Sequence, residues 1–464
     1  MNTRTEHDSL GPVELPAEAL WGAQTQRAVN NFPISGLRMP AAFLRALAQI
    51  KAAAARANQT LGGLSPTQAK AIAAAAGEIA EGAHTDAFPV EVFQTGSATS
   101  SNMNMNEVIA ALAGRAGVGV HPNDHVNRSQ SSNDVVPSAI QLGALDRVCR
   151  GLLPALEHLR AVIRARAMEL DAVSKTGRTH LMDAMPLTFG QELGAWEAQL
   201  AACDAALREG LARLGALPLG GTAVGTGINA AEGFAETAIA ELLRDTQLPL
   251  SAAANRFEGI AGQQAALELA AKLASLAVAL GKIANDLRWM NAGPLAGLGE
   301  ISLPALQPGS SIMPGKVNPV VCESILMLAA QVQACHLAVS LGAQGGNFQL
   351  NTMLPLIAHN LLPPIDWLAN GMRLLADKAI AGFTVNHERI EQSLARNPIL
   401  VTALNPLIGY EKAAAIAKRA YREQRTVMEV ALEDSGLDEA TLREALDPLK
   451  LTRGGEVGGG KGGE

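Results

Sequence analysis

Long helices are the first prediction from the spacing of apolar residues along this chain. Between Leu269 and Leu287, leucine or isoleucine recurs in steps of four and three residues, the spacing of one face of a helix. Similar spacing runs from Leu142 to Val162, and further helical runs are expected at about 187–214, 318–341 and 352–382. Helices of about 25 to 30 residues extend about 40 Å, which is longer than a compact monomer needs. We therefore expect their apolar faces to meet other copies of the chain in an oligomer.

Shorter elements flank these helices. One helix is predicted from Ala41 to about Leu61, and a second follows Ser65, because serine caps a helix and Pro66 suits its first position. Residues 1–40 contain four prolines and are predicted to be irregular. After Phe383 the helical patterns shorten, and residues 401–420 predict a loop and a helix of a small terminal domain.

The composition favours a mainly α protein. Only 3% of the 464 residues are aromatic, and alanine runs such as Ala52–Ala55 recur. Alanine is the best helix former, whereas sheets rely on aromatic and branched residues. The predicted domains are a mixed N-terminal domain at 1–134, a central bundle of long helices at 135–385 and a small helical C-terminal domain at 386–454. The glycine-rich tail, 455–464, has little apolar content and is predicted to be disordered.

Charge and cysteine usage exclude several classes of partner. A net charge of −7 argues against nucleic acid and against an anionic membrane surface. The four cysteines lie far apart without CxxC pairs, which fits free thiols in a reducing compartment. The N-terminus is polar, unlike a signal peptide, and no uninterrupted apolar run reaches the roughly 18 residues of a membrane span. These features predict a soluble cytoplasmic protein.

Four polar segments, at 95–106, 121–134, 176–192 and 309–323, interrupt the helical pattern. The last begins GSSIMPGKVNP, in which glycines and prolines exclude a helix or a central strand and predict a shaped loop. Ser310 or Ser311, near the cation of Lys316 and the amide of Asn318, suits chemistry that passes through an anion. The plainer alternative is a polar connection between helices.

The other polar segments are also predicted as loops. Residues 176–192 contain Arg178, Thr179, His180 and Asp183 before a helix expected to start at Pro186. The ordinary pKa of histidine, near 6.5, suits a proton shuttle, although a lone histidine is more often structural. Segment 95–106 is expected to feed a helix near Asn104. His121 and His125 could indicate a metal site beside Asp124, but no third ligand follows at a usual spacing, so no metal is expected.

The polar segments share hydroxyls, amides and cations and contain few free carboxylates. These are the groups that a small dianionic ligand requires, because each carboxylate accepts several charge-assisted hydrogen bonds. No phosphate loop and no GxGxxG motif opens a βαβ unit, so a nucleotide cofactor is not expected.

The same segments resemble the fumarase/aspartase superfamily of lyases. The matching motifs are, in order, TGSATSSNMNMNE, HPNDHVNRSQSSND, KTGRTHLMDAMPLTFGQE, LPLGGTAVGTGIN and GSSIMPGKVNP. Within the superfamily the chain is most similar to the class II fumarate hydratases (fumarase C type), because aspartases usually have glutamine at His180 and alanine at Gly315. The sequence departs from most fumarases at Ala98, Ser100 and His125, where glycine, glutamine and aspartate are frequent.

The resemblance implies a three-domain helical fold, a homotetramer with a helical core shared between subunits, and active sites built from three subunits. It implies reversible hydration of fumarate to (S)-malate in the tricarboxylic acid cycle, with no metal and no organic cofactor. The alternatives are aspartate ammonia-lyase activity, hydration of a substituted fumarate, and a non-catalytic helical scaffold that has lost the reaction.

By the same resemblance, Ser310 is the base, Lys316 stabilises its oxyanion, and Glu323 orients His180, which handles the water and the opposite proton transfer. The residues expected to hold the substrate carboxylates are Ser97, Ala98, Thr99, Ser131, Ser132, Asn133, Thr179, Ser311, Lys316, Val317 and Asn318. A peripheral anion site is expected at His121, Pro122, Asn123 and Asp124.

Overall fold

The computed structural model describes residues 2–454, which form eighteen α-helices and five two-stranded sheets. The predicted mainly α fold is confirmed, and the tail predicted to be disordered lies outside the described residues.

The helices are α1 Ala23–Asn31, α2 Ala41–Thr60, α3 Pro66–Ala80, α4 Thr99–Arg115, α5 Ser132–Arg147, α6 Leu153–Glu169, α7 Phe189–Leu214, α8 Phe234–Thr246, α9 Arg256–Ala261, α10 Gln264–Met290, α11 Val320–Ala343, α12 Leu354–Leu375, α13 His387–Ala395, α14 Asn405–Ile408, α15 Tyr410–Glu423, α16 Val427–Asp434, α17 Glu439–Ala445 and α18 Pro448–Leu451. The strands are β1 Thr3–Asp8, β2 Gly11–Pro16, β3 Ser174–Thr179, β4 Met182–Thr188, β5 Ala216–Leu217, β6 Ser251–Ala252, β7 Ile301–Ser302, β8 Gly346–Asn347, β9 Leu350–Asn351 and β10 Thr384–Val385. Strand β5 pairs with β6 in parallel, and the other pairs, β1–β2, β3–β4, β7–β10 and β8–β9, are antiparallel.

The chain divides into two compact units, each made of three separate segments. The first unit comprises Met1–Ala155, Cys203–Val278 and Leu328–Gly371, and the second comprises Leu156–Ala202, Ala279–Met327 and Met372–Glu464. The predicted division into consecutive domains stays a prediction, because a division by contacts does not test it.

Helix α2 organises the first unit and packs against α3, α5 and α8. Much of its buried face is alanine, as the composition suggested. Small residues let the backbones approach closely: a Cβ added at Gly143 of α5 would lie 3.0 Å from the carbonyl oxygen of Ala42. A larger residue at Gly143 would therefore force α5 away from α2.

Several predicted elements are confirmed. Helix α2 has nearly the predicted bounds, and Ser65 caps α3 through a capping box in which its hydroxyl and the Gln68 side chain each bond the other's backbone amide. The leucine and isoleucine repeat from Leu269 to Leu287 lies on α10 and is buried within the chain at every position. The spacing had suggested that this repeat faces other copies of the chain. Its burial within its own chain shows that this expectation is wrong for the repeat.

The prediction of an irregular N-terminus is wrong. Strands β1 and β2 form an antiparallel hairpin, followed by α1. The prolines did not prevent this because Pro12 and Pro16 lie on a strand of a two-stranded ribbon, where one edge needs no N–H donors.

The polar segment at 176–192 is also not a loop. Strands β3 and β4 form a hairpin whose tip is the two-residue turn His180–Leu181, with φ of 55° and 61°. Positive φ at both positions is the conformation of a type I′ turn, which asparagine and glycine usually supply. Because neither occurs here, the hairpin gave no sequence signal. Pro186 lies within β4, and α7 begins at Phe189 rather than at Pro186.

The C-terminal part of the second unit is made of short helices. A 3-10 helix, Pro398–Leu404, and α14 occupy most of the expected loop, and α15 is the expected helix. The helices α13 to α17 share one apolar cluster that includes Leu404, Ile416, Val430 and Leu442.

By length and composition alone, α11 is the single helix among the described residues that could cross a membrane. Only 28% of its most apolar 18-residue window is buried within the chain. Large apolar side chains on this helix are exposed, among them Met327, Leu337 and Leu341. The helix thus has an apolar face that its own chain leaves largely uncovered.

Candidate active site

A row of three hydroxyls marks the candidate site in the first unit. The Ser97 and Thr99 oxygens are 2.8 Å apart, and Thr99 Oγ1 lies 2.7 Å from Ser132 Oγ. The first two belong to the start of α4 and the third to the start of α5, so two helix N-termini meet at this row. Hydroxyls and helix N-termini both favour a bound carboxylate. Helix α4 begins at Thr99, earlier than the predicted start near Asn104.

Ala98 holds the turn before α4 in an unusual conformation. Its φ is 55°, in the left-handed region, and its side chain is completely buried. The preceding Gly96 accepts a hydrogen bond from the Leu354 backbone N–H, and a Cβ there would collide with the Thr352 carbonyl oxygen. The backbone around Ser97 is therefore fixed by close packing.

The start of α5 is fixed by a buried carboxylate. Asp134 Oδ1 accepts the Ser131 N–H at 2.9 Å, closing a capping box with the Ser131 side chain. Asp134 Oδ2 accepts the backbone N–H groups of Gly220 and Thr222 at 2.8 and 3.0 Å. The neighbouring Asn133 donates from Nδ2 to the Ala223 carbonyl at 2.8 Å. The segment 220–223 thus positions Ser131 to Asn133.

Lys51 places a buried amine within electrostatic range of Asp134. It is completely buried in α2 and donates from Nζ to Asn127 Oδ1 at 3.0 Å. Burial lowers the pKa of Lys51 to about 7, against the opposing effect of the Asp134 charge. Burial likewise raises the pKa of Asp134, although its backbone hydrogen bonds and Lys51 act in the opposite direction. Sequence reasoning missed both residues; the one signal was a lysine within the alanine-rich α2.

The predicted peripheral residues lie on one short turn. His121 caps the π-helical turn Pro122–Val126 and accepts the Asp124 N–H at 3.2 Å through Nδ1. His121, Pro122 and Asn123 border a cavity of about 590 Å³, whereas Asp124 does not line it. Arg4, which also lines this cavity, pairs with Glu6 at 2.7 Å.

In the second unit, Thr179 and His180 are exposed at the tip of the β3–β4 hairpin. A buried charge network holds the base of this hairpin. Lys175 Nζ lies 2.7 Å from Glu192 and 2.9 Å from Glu300, and Arg178 lies 2.6 Å from Glu300. Burial acts to raise the pKa of Glu300, but Lys175 and Arg178 prevail and lower it below its usual value.

The predicted serine loop is closed on itself. The Gly309 N–H donates to the Lys316 carbonyl at 2.8 Å, and Asn318 Nδ2 donates to the Gly309 carbonyl at 2.8 Å. A Cβ at Gly309 would collide with the Lys316 carbonyl oxygen, so glycine is required there. Within the loop, Ser310 Oγ accepts the Ile312 and Met313 backbone N–H groups, each at 3.2 Å.

The remaining predicted residues of the second unit are open to solvent. Ser311, Lys316, Val317 and Glu323 are exposed. Over residues 2–454, no hydrogen bond or ion pair joins His180 to Glu323 within this single chain. Among those residues, no group of three His, Cys, Asp or Glu side chains is placed to hold a metal ion. All four cysteines are free, and burial raises the pKa of the Cys322 thiol to about 12.

Comparison with known proteins agrees with these segments. A family model described as Lyase matches residues 11–334, and one described as Fumarase C C-terminus matches residues 400–453. The class II fumarate hydratase of Xylella fastidiosa (strain Temecula1) is 60% identical over 462 residues, covering 99% of this chain and 98% of that protein. Class II fumarate hydratase 2 of Pseudomonas aeruginosa is 56% identical over 455 residues, covering 98% and 99%.

Solved structures agree. The class II fumarase of Schistosoma mansoni matches with a TM-score of 0.94 at 37% identity, covering 97% of this chain and 99% of that one. The fumarate lyase:delta crystallin of Brucella melitensis bound to cobalt matches with a TM-score of 0.92 at 44% identity, covering 97% and 100%. The chain therefore belongs to the fumarase/aspartase superfamily of lyases, and within it to the class II fumarate hydratase family. The predicted family is confirmed.

The left-handed backbone at Ala98 can be tested against a helical alanine. Ala98→Gly and Ala139→Gly each remove a fully buried methyl group, but Ala139 lies within α5. Because the left-handed conformation costs a non-glycine residue about 1–2 kcal/mol, Ala98→Gly should be the less destabilising change by about that amount. Urea unfolding of both variants measures the difference. Equal losses of stability would show that the backbone at residue 98 is unstrained.

The Glu300 network makes stability depend on pH. Because the pKa of Glu300 is depressed in the folded state, its contribution is full above its unfolded pKa, near 4.5, and is lost as pH falls through the lower folded value. The gap in unfolding free energy between wild type and Glu300→Gln should therefore shrink below about pH 4.5. Urea unfolding from pH 7 to pH 3 measures it.

Glu439→Gln, which removes an exposed carboxylate paired with Arg443, controls for the loss of one negative charge. A gap between wild type and Glu300→Gln that stays constant across the whole pH range would contradict the assigned role of Glu300.

Proposed function

We propose that this lyase, which hydrates fumarate to malate, works through an alkoxide of Ser310 as its base. In the malate direction Ser310 takes a proton from the carbon beside one carboxylate of (S)-malate. The electron pair left behind moves into that carboxylate as a dianionic aci form. Hydroxide then leaves the neighbouring carbon, takes up a proton as water, and fumarate remains. Hydration is the same path reversed, with anti addition.

The observation that carries this proposal is the pair of backbone N–H groups aimed at Ser310 Oγ. The Ile312 and Met313 amides donate to that oxygen at 3.2 Å each. A serine hydroxyl is far too weakly acidic to act as a base unless its oxyanion is stabilised, and preorganised amides do this. Ser311, by contrast, makes no hydrogen bond in the described part of the chain. This difference supports Ser310 over its neighbour.

Lys316 and Asn318 complete the serine loop. Asn318 fixes the Gly309 end of the loop, and the exposed Lys316 ammonium is free to face the substrate dianion. An aci-carboxylate carries two negative charges on one group, so a cation and several donors are needed to stabilise it. We assign the stabilisation of the aci-carboxylate to Lys316. Ser311 and Val317 are proposed as further binding positions on the same loop.

The hydroxyl row of the first unit suits the other substrate carboxylate. Ser97, Thr99 and Ser132 present their oxygens side by side, and Asn133 lies next to them. Each hydroxyl can donate to a carboxylate oxygen while accepting from its neighbour. We propose that this row, with Ala98, Ser131 and Thr179, selects a small dicarboxylate.

His180 is proposed to position the water and to serve the proton transfer opposite Ser310. Its turn is exposed, and the buried network at the base of the hairpin holds it in place. Glu323 is proposed to orient His180 from another subunit, because within one chain no hydrogen bond or ion pair in residues 2–454 joins the two side chains. The residues His121 to Asp124 are proposed as a peripheral anion site.

We further propose a cytoplasmic homotetramer with shared active sites and with no metal or organic cofactor. Helices α10, α11 and α12 leave large apolar side chains exposed, including Val278, Trp289, Met327, Leu337 and Trp367. Uncovered apolar faces of this kind indicate burial against another protein surface. Since only 28% of the most apolar window of α11 is buried within the chain, we expect this helix to pack against copies of itself rather than to enter a membrane.

The Ser310 assignment predicts a separation of chemistry from binding. Ser310→Ala should lower turnover with fumarate by several orders of magnitude while binding of a dicarboxylate inhibitor survives, because Lys316 and Asn318 remain. Ser311→Ala, the matched control, should weaken binding more than it slows turnover. Malate formation is followed by NMR, with fumarate alone and with fumarate plus ammonium.

The outcomes separate the alternatives. Near-normal turnover in Ser310→Ala with a dead Ser311→Ala would move the base by one residue. Aspartate rather than malate in the ammonium sample would make the protein an ammonia-lyase. No product in either sample would leave two alternatives, a hydratase of a substituted fumarate and a non-catalytic scaffold.

Shared sites predict recovery of activity on mixing. Inactive His180→Asn and Ser310→Ala chains should regain part of the activity after dissociation and reassembly, because some sites would then combine an intact His180 with an intact Ser310. Asparagine suits the left-handed position of His180, so the turn should persist. Native mass spectrometry verifies that mixed tetramers have formed. Verified mixed tetramers without activity would argue that each chain builds its own site.

A further inference from the structure

A second cavity lies in the second unit, and no residue of the serine loop lines it. It has a volume of about 300 Å³, within the range of small-ligand sites. Hairpin β3–β4, helix α13 and the end of α15 supply its walls. We call it the arginine cavity and define it by six of its lining residues, Thr176, Arg178, Asp183, Arg389, Arg396 and Arg425.

Two of the four arginines are already neutralised. Arg178 pairs with Glu300 at 2.6 Å, and Arg425 pairs with Glu433 at 2.6 Å. These two guanidinium groups therefore add little net charge to the arginine cavity.

The other two arginines carry charge that no carboxylate balances at contact distance. Arg389 donates only to the carbonyls of Leu298 and Gly297, at 3.3 and 3.1 Å. The Arg396 side chain makes no hydrogen bond or ion pair in the described part of the chain. Hydrogen bonds from Thr426 are the main cause of the lowered pKa of Glu429, and the Arg396 charge adds to it from longer range. Arg389 lies in the first turn of α13 and Arg396 directly follows the end of that helix. Against them stands one lining carboxylate, Asp183.

A buried hydroxyl group without a hydrogen-bond partner among the described residues also belongs to the lining of the arginine cavity. Thr176 is 4% exposed, and its hydroxyl has no hydrogen-bond partner within residues 2–454. The opposite residue on β4 is Pro186, which has no N–H to offer. A buried hydroxyl without a partner is uncommon and calls for a bonding group from elsewhere.

We propose that the arginine cavity binds a small polyvalent anion of the phosphate or carboxylate type. Guanidinium groups form paired, charge-assisted hydrogen bonds with such anions. The Arg396 side chain has all of its donors unused within the described residues, and Arg389 keeps those that do not bond the carbonyls of Leu298 and Gly297. Thr176 supplies a neutral donor from the opposite wall. The site requires no residue of the serine loop, so the proposal does not rest on the proposed function.

Isothermal titration calorimetry at low salt tests this, with pyrophosphate and citrate as separate probes. At least one probe should bind the wild-type protein, and Arg396→Gln should weaken that binding about tenfold or more, since it removes a charged donor. Asp183→Asn should strengthen it by removing the one opposing charge. Arg443→Gln, which removes an exposed arginine of the same unit, is the matched control and should bind as the wild type does.

Arg396 is exposed and its side chain makes no hydrogen bond or ion pair in residues 2–454, so its replacement should leave the melting temperature unchanged and the comparison valid. Tight pyrophosphate binding with weak citrate binding would identify a phosphate site, and the reverse a carboxylate site. No binding of either probe would overturn the proposal. Equal affinities in wild type and Arg396→Gln would also overturn it, because the anion would then bind elsewhere. Calorimetry reads binding without turnover, so neither result depends on fumarate hydration.

Discussion

A buried charge must find partners, and in this protein those partners shape the segments that carry the candidate site residues. Asp134 lies in the interior of the first unit and satisfies its carboxylate with three backbone N–H groups. Leaving a carboxylate buried without such bonds is costly, so the start of α5 and the segment 220–223 are fixed together. In the second unit Glu300 performs the comparable task by holding Lys175 and Arg178 under the hairpin. Buried carboxylates thus fix the backbone of two polar segments, the start of α5 and the β3–β4 hairpin.

Much of the fold could be predicted from the sequence because helices have local signals. The bounds of α2, the cap at Ser65 and the repeat on α10 follow from residue spacing and capping chemistry alone. The hairpins at β1–β2 and β3–β4 could not be predicted, since prolines in one and a turn without glycine or asparagine in the other concealed them. Strand pairing depends on residues elsewhere in the chain, and the residue types within one strand do not identify its partner.

The candidate site, like the fold, could be predicted only in part from the sequence. Ser97, Thr99 and Ser132 were predicted as substrate-binding residues from the family resemblance, and the structure places their oxygens in one row. Lys51 and Asp134 were missed because their function depends on burial, which a polar residue in a helical pattern does not reveal. The departure at Ala98 acquires a physical meaning only with the backbone in view. The resemblance leads us to expect glycine there, and glycine suits a position where φ is positive.

The turn at His180 and Leu181 limits which sequences can present this histidine. Both residues occupy a backbone region that β-branched side chains enter only at high cost. Few residue types can therefore replace either of them. Histidine and asparagine are among the residues that tolerate this region, whereas valine, isoleucine and threonine are not. A search for variants with altered specificity would therefore find few viable sequences at the tip itself. It would do better on the flanking strand positions, whose extended backbone accepts nearly any residue.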